Sequence, residues 1–265
     1  MIKLGVNTVL FKAYSFREAA QAIKLAGYDG LEISAIKGMC EHLDLDNFDA
    51  QKEELKAVME ETGLEFLATE VASQDPDRLR KAFEAARWLG IPVVNIGPGG
   101  KSDEPGELEQ SIETLASLAQ IAQEYGVTLC TKAHVGAAIY NTPTTQAAMK
   151  AIQNPYFGID MDPSHIYRAG EQPENALEAV LSGMKHIHIR DCKGPGPSPG
   201  EPALQTCGRG DINLYGYFKA MVDAGYDGPV NLEVIGPEQD MTAAAIIAAE
   251  SYGYMNACLK LLGAR

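Results

Sequence analysis

The sequence predicts an α/β protein folded as a single (β/α)8 barrel, the TIM-barrel class, over residues 1–265. Three observations lead there. One local unit recurs along the chain: an amphipathic helical stretch, a glycine, then a short apolar strand. Eight strand-like segments can be counted, each followed by a helical one. And 265 residues is a length at which eight such units ordinarily close.

The strands are expected at 2–8, 29–34, 64–71, 91–97, 127–133, 157–162, 185–191 and 229–235. Gly27, Gly63, Gly90, Gly126 and Gly225 stand at the helix-to-strand junctions, where the chain commonly turns left-handed and only glycine does so without penalty. Helix starts are marked by Asp75 before Pro76 and Thr142 before Pro143, and Asn154-Pro155-Tyr156 closes another helix. Strand and helix alternating at this pitch imply right-handed parallel crossovers. An open doubly wound sheet is the rival, since periodicity alone does not show closure. Gly97-Pro98-Gly99-Gly100 follows a strand but lacks GxGxxG spacing and reads as a plain turn rather than a dinucleotide site.

Composition narrows the partners. Hydrophobic residues at 46% and charged residues at 22% suit a globular protein with a large core. Thirty-six acidic against 22 basic residues leave a net charge of −14, which repels phosphate backbones and anionic lipid. No nucleic acid and no membrane partner is expected, and the absence of an apolar run of roughly 18 residues predicts a cytoplasmic protein. The five cysteines are scattered and never spaced as CxxC, so they are read as reduced thiols. A homo-oligomer is left open.

In a barrel alternate strand residues point inward, and the C-terminal strand ends form the active-site floor. Along Met184–Asp191 the isoleucines take the helix-facing side, which turns His186, His188 and Arg190 inward. The same alternation sends Asn231 and Glu233, Asp160 and Asp162, and Glu32 to the axis. The strand at 127–133 contributes Thr128, Cys130 and Lys132, with His134 just beyond. Four of the five histidines fall between positions 134 and 188. One imidazole with carboxylates from neighbouring strands is a mixed N/O set suited to Mn2+, Mg2+, Co2+ or Zn2+.

The order of Asp162-Pro163-Ser164-His165, His186-Ile187-His188-Ile189-Arg190-Asp191, Gly208-Arg209-Gly210-Asp211-Ile212 and Asn231-Leu232-Glu233-Val234 resembles the xylose-isomerase-like sugar phosphate isomerase/epimerase family over nearly the whole chain. The resemblance implies a divalent metal, Mn2+ first, held by Asp162, His188 and Glu233. It also implies substrate binding by His165 and a small-molecule carbohydrate as substrate. Arg190, Glu70 and Asn7 are further substrate-binding candidates at strand ends.

The fourth family ligand, a glutamate ending strand five, is replaced by Lys132. In the family's epimerases two glutamates flank the substrate carbon and pass its proton between faces, so Lys132 and Glu233 are the catalytic candidates. Beside a metal and in a pocket, Lys132 is expected to have a lowered pKa and to act as a neutral base, a charged acid or a Schiff-base former. Alternatively it pairs with Glu70 or Asp162 and no metal chemistry survives. His134 is the nearest replacement ligand. The expected activity is a metal-dependent isomerase or epimerase working by proton abstraction next to a carbonyl. A lyase or dehydratase on a keto-sugar or keto-glycoside is the alternative, and a non-catalytic sugar-binding relative a third. Endonucleases on this barrel are disfavoured by the charge and the few histidines. The Gly/Pro-rich residues 192–211 are expected as a lid over the C-terminal face or a mobile surface loop.

Overall fold

The computed structural model describes residues 1–265. Nine strands form: β1 (Leu4–Asn7), β2 (Gly30–Ile36), β3 (Cys40–Glu41), β4 (Glu65–Glu70), β5 (Val93–Ile96), β6 (Thr128–Lys132), β7 (Phe157–Asp160), β8 (Met184–Ile189) and β9 (Val230–Leu232). Eight run parallel in the order β1-β9-β8-β7-β6-β5-β4-β2, and β1 also pairs with β2 through Gly5↔Gly30 and Val6↔Leu31. That last ladder closes the barrel and excludes the open sheet. The ninth strand, β3, pairs antiparallel with the end of β2 (Ile36↔Cys40) and hangs a hairpin tip, Lys37-Gly38-Met39, on the rim. Gly38 makes the turn at φ +77°, a conformation glycine enters freely.

The helices are α1 (Phe16–Ala26), α2 (Phe48–Thr62), α3 (Pro76–Leu89), α4 (Glu107–Tyr125), α5 (Thr142–Ala151), α6 (Pro163–Arg168), α7 (Pro173–Val180), α8 (Leu214–Asp223) and α9 (Met241–Leu261). Gly27, Gly63, Gly90 and Gly126 cap four of them, as expected. Asp75 accepts a hydrogen bond from the Arg78 amide at 2.8 Å and opens α3. The cap of α5 lies one residue earlier than expected. The Asn141 carboxamide accepts from the Thr144 amide at 3.0 Å and Thr144 Oγ1 answers the Asn141 amide at 3.2 Å, leaving Thr142 as the first helical residue.

Strands β1, β2, β5, β6, β7 and β9 are buried along nearly their whole length, as both faces of a parallel barrel must be. Inside, small apolar residues Ala68, Val93 and Cys130 form one layer. Two residues further along the same strands come Glu70, Asn95 and Lys132, so the interior changes from apolar to polar toward the C-terminal ends. No helix is long and apolar enough to cross a membrane, and all five cysteines are buried and free.

Residues 192–211 form a tethered strap. Asp191 accepts from the amides of Cys192, Gly208 and Ile212 at 3.0–3.1 Å. The buried Gln205 side chain clasps Ile235 in both directions, donating to its carbonyl at 2.6 Å and accepting from its amide at 3.0 Å. No residue of 192–211 lines the cavity described next, although Ile235 does.

Candidate active site

A cavity of about 470 Å³ opens at the C-terminal strand ends. Its polar floor is Glu70, Lys132, His134, His165, Arg190 and Glu233; Ile36, Met39, Ala72 and Ile235 form an apolar side. Six of the nine expected site residues therefore meet in one cavity. The other three, Asn7, Asp162 and His188, are fully buried and lie outside its lining.

The floor is a chain of ion pairs. Lys132 Nζ donates to Glu233 Oε1 at 2.7 Å and lies 3.6 Å from Glu70 Oε1. Arg190 donates through Nη1 to Glu233 Oε2 at 2.7 Å, and its Nη2 lies 2.9 Å from Asp162 Oδ2. Its Nε reaches Ser164 Oγ at 2.8 Å, and Ser164 in turn donates to Asp162 Oδ1 at 2.7 Å. Nη2 also meets His165 Nε2 at 2.8 Å, which assigns that nitrogen as an acceptor. One guanidinium thus separates Asp162 from Glu233. His134 stacks on His165 with ring centroids 4.0 Å apart, and its Nδ1 lies 2.9 Å from the Val135 carbonyl.

These neighbours set the protonation states. Burial alone would lower the pKa of Lys132, but Glu233 and Glu70 outweigh it and hold the ammonium above the ordinary lysine value. The shift runs opposite to the expected lowering, because two carboxylates face the amine. An amine held protonated is a donor rather than a neutral base or Schiff-base nucleophile. Glu233 is also buried, yet Lys132 and Arg190 keep it well below the usual carboxylate range. Glu70 differs: burial, only partly offset by Lys132, pushes its carboxyl up to about 7. Burial and then Arg190 keep His165 neutral.

Beneath the floor lies a second polar layer. His188 Nδ1 sits 2.6 Å from Asp160 Oδ2 and its Nε2 is bonded to Glu32. His186 lies between Asp160 at 3.0 Å and Asn231 at 2.6 Å. Asn7 donates to Glu32 at 3.1 Å and to Glu70 at 2.7 Å, so it orients the glutamate that faces the cavity.

Two groups of side chains bring ligand atoms within 4.8 Å of one another and could hold a metal ion: Glu70, His188 and Glu233, and Glu32, His186 and His188. Asp162 and His134 belong to neither. The residues in place do not fit a divalent ion at the cavity floor. The Lys132 ammonium stands between Glu70 and Glu233, Arg190 holds Asp162, and both His188 nitrogens face carboxylates.

Some site residues carried no sequence signal of their own. Ser164 was visible only as part of Asp162-Pro163-Ser164-His165, and Gln74 and Met39 reach the cavity from the β4–α3 loop and the rim hairpin. A short apolar run past β2, ending in Lys37-Gly38, was the available hint of that hairpin.

The closed barrel with acid, base and histidine side chains at its C-terminal mouth defines a class of proteins that handle small polar molecules there. Residues 20–253 match the xylose isomerase-like TIM barrel family, and the chain belongs to it. It is 22% identical over 290 residues to an inosose dehydratase of Clostridium perfringens strain 13, covering 92% of each chain. A second inosose dehydratase, from Bacillus cereus strain AH820, is 22% identical over 224 residues, 72% of each chain. Among solved structures, a D-tagatose 3-epimerase-like protein superposes with a TM-score of 0.80 at 19% identity, covering 99% of this chain and 98% of that one. A D-psicose 3-epimerase from Clostridium cellulolyticum H10 does so at 0.78 and 18%, covering 97% and 99%. These structural likenesses carry the fold.

Proposed function

We propose that the protein is a carbohydrate dehydratase or lyase: it removes the proton next to the carbonyl of a keto-sugar or keto-glycoside and expels the β-substituent. The observation that carries this reading is the 2.7 Å contact between Lys132 Nζ and Glu233 Oε1. Epimerisation needs two proton-transfer groups on opposite faces of one carbon. Here the two groups at those strand ends touch each other, leaving no room for a carbon between them. Elimination needs only one base, and Glu70, at about 7, is poised for it.

In this scheme the Glu70 carboxylate takes the α-proton. The C–H pair forms a carbon–carbon double bond while the carbonyl π pair moves onto oxygen, which accepts a hydrogen bond from Lys132. The oxygen pair then returns, the double bond shifts to the β-carbon and the β C–O bond breaks. Glu70 gives its proton to the leaving oxygen, so the products are an enone and water or an alcohol. The apolar side formed by Ile36, Met39, Ala72 and Ile235 suits the aglycone of a keto-glycoside. The dehydratase names of the curated relatives support the same reaction type.

An isomerase or epimerase is the second reading, favoured by the approach of Glu70 and Glu233 from different strands to within 4.8 Å. Proton NMR of candidate ketoses and keto-glycosides in heavy water separates the outcomes. Elimination gives vinyl signals and released alcohol, whereas epimerisation gives deuterium at an inverted carbon with every substituent retained. Binding without either event would make the protein a sugar-binding module and overturn both.

A further inference from the structure

We propose that the Lys132 ammonium takes the place of a divalent ion in this barrel, so that the site works without a metal. The charge arithmetic is simple. A glutamate at the end of β6 together with a divalent cation carries a net charge of +1, and a single lysine at that position carries the same. The geometry agrees with the arithmetic. Nζ stands 2.7 Å from Glu233 and 3.6 Å from Glu70, in the group of side chains that would otherwise converge on an ion.

Asp162 and His188, two of the other expected ligands, lie against other charged groups. Arg190, 1% exposed, bridges Asp162 at 2.9 Å and Glu233 at 2.7 Å. His188 lies under the floor with Glu32 on one ring nitrogen and Asp160 on the other. Two protein cations therefore neutralise the two carboxylates that an ion would need, and a dication could enter only by displacing Lys132 from Glu233 and Glu70. The ammonium has three donors; with two directed at carboxylates, the third is free for a substrate oxygen. This supplies a fixed positive charge where negative charge develops, the electrostatic part of a metal's role, without a water to ionise.

Metal content and thermal stability report on this substitution without any substrate. Wild type purified without chelator should contain less than about a tenth of a divalent ion per chain by elemental analysis, and Mn2+ should leave its melting temperature unchanged. Lys132→Glu should bind about one Mn2+ per chain. At Mn2+ a hundredfold above the Kd its melting temperature should rise by about 5–10 °C. Lys132→Gln, which removes the ammonium without adding a carboxylate, is the second variant should the first not fold, and should show a smaller Mn2+-dependent rise. About one ion per chain in wild type, an equal Mn2+ shift in all three proteins, or no gain in either variant would each overturn the proposal.

Discussion

At the residue scale, Glu70 and Arg190 carry opposite consequences. The Glu70 carboxyl, raised to about 7, favours its neutral form in the fold. Its contribution to stability is therefore complete below the unfolded value near 4.5 and is lost as pH rises through about 7. The activity runs the other way, because the base must be ionised. Glu70→Gln should lower turnover by about 10²–10⁴-fold and remove the rise in rate near pH 7. The same variant should flatten the fall in stability between pH 5 and 8, read from urea unfolding across pH. A variant that keeps the wild-type rate profile would show that another group is the base. Arg190 is a structural cation as well as a floor residue. Arg190→Met leaves Asp162 and Glu233 facing each other without the guanidinium between them and should cost about 3–5 kcal/mol in denaturant unfolding. A loss below about 1 kcal/mol would mean that those carboxylates find other partners.

Among the elements, the strap at 192–211 is the segment whose behaviour departs from its composition. Seven of its residues from Lys193 to Pro199 are Lys, Gly, Pro or Ser, yet Asp191 and Gln205 pin its two ends and middle to the barrel. Gln205 is a small hinge of polar contacts: its carboxamide joins the strap to the backbone of Ile235, which borders the cavity. Gln205→Ala leaves a buried amide and carbonyl unmatched and should destabilise the protein by about 1–3 kcal/mol. It should also expose the strap to limited proteolysis ahead of the helices. Cleavage beginning elsewhere, with the strap intact, would show that Asp191 alone holds it.

Closure is a property of the whole molecule, and one inward position tests it. Gly5 on β1 faces Asn231 on β9, and a Cβ added there would lie 1.9 Å from Asn231 Oδ1. The ladder β1–β9 is one of the two that flank the strand completing the ring. Gly5→Ala should cost about 1–3 kcal/mol by overpacking, with the loss read as a lower melting temperature. It should also disturb the hydrogen bond from Asn231 to His186, seen as a shifted imidazole signal by NMR. An unchanged melting temperature would show that β1 can move outward without opening the barrel.

Much of this protein was decided by sequence alone, because strand alternation and helix-end glycines are local physics that need no partner. The eight parallel strands, four helix caps and the inward direction of Lys132, His188, Arg190 and Glu233 all follow from periods of two and 3.6 residues. What remained out of reach was which inward groups touch. Lys132 on Glu233, Arg190 between Asp162 and Glu233, and His188 withdrawn beneath the floor are pairings across 28 to 156 residues of chain. Each is set by strand register around a closed ring and by how deep each side chain sits in it. The raised pKa of Lys132 depends on the same register, since only the assembled barrel brings two carboxylates to one amine.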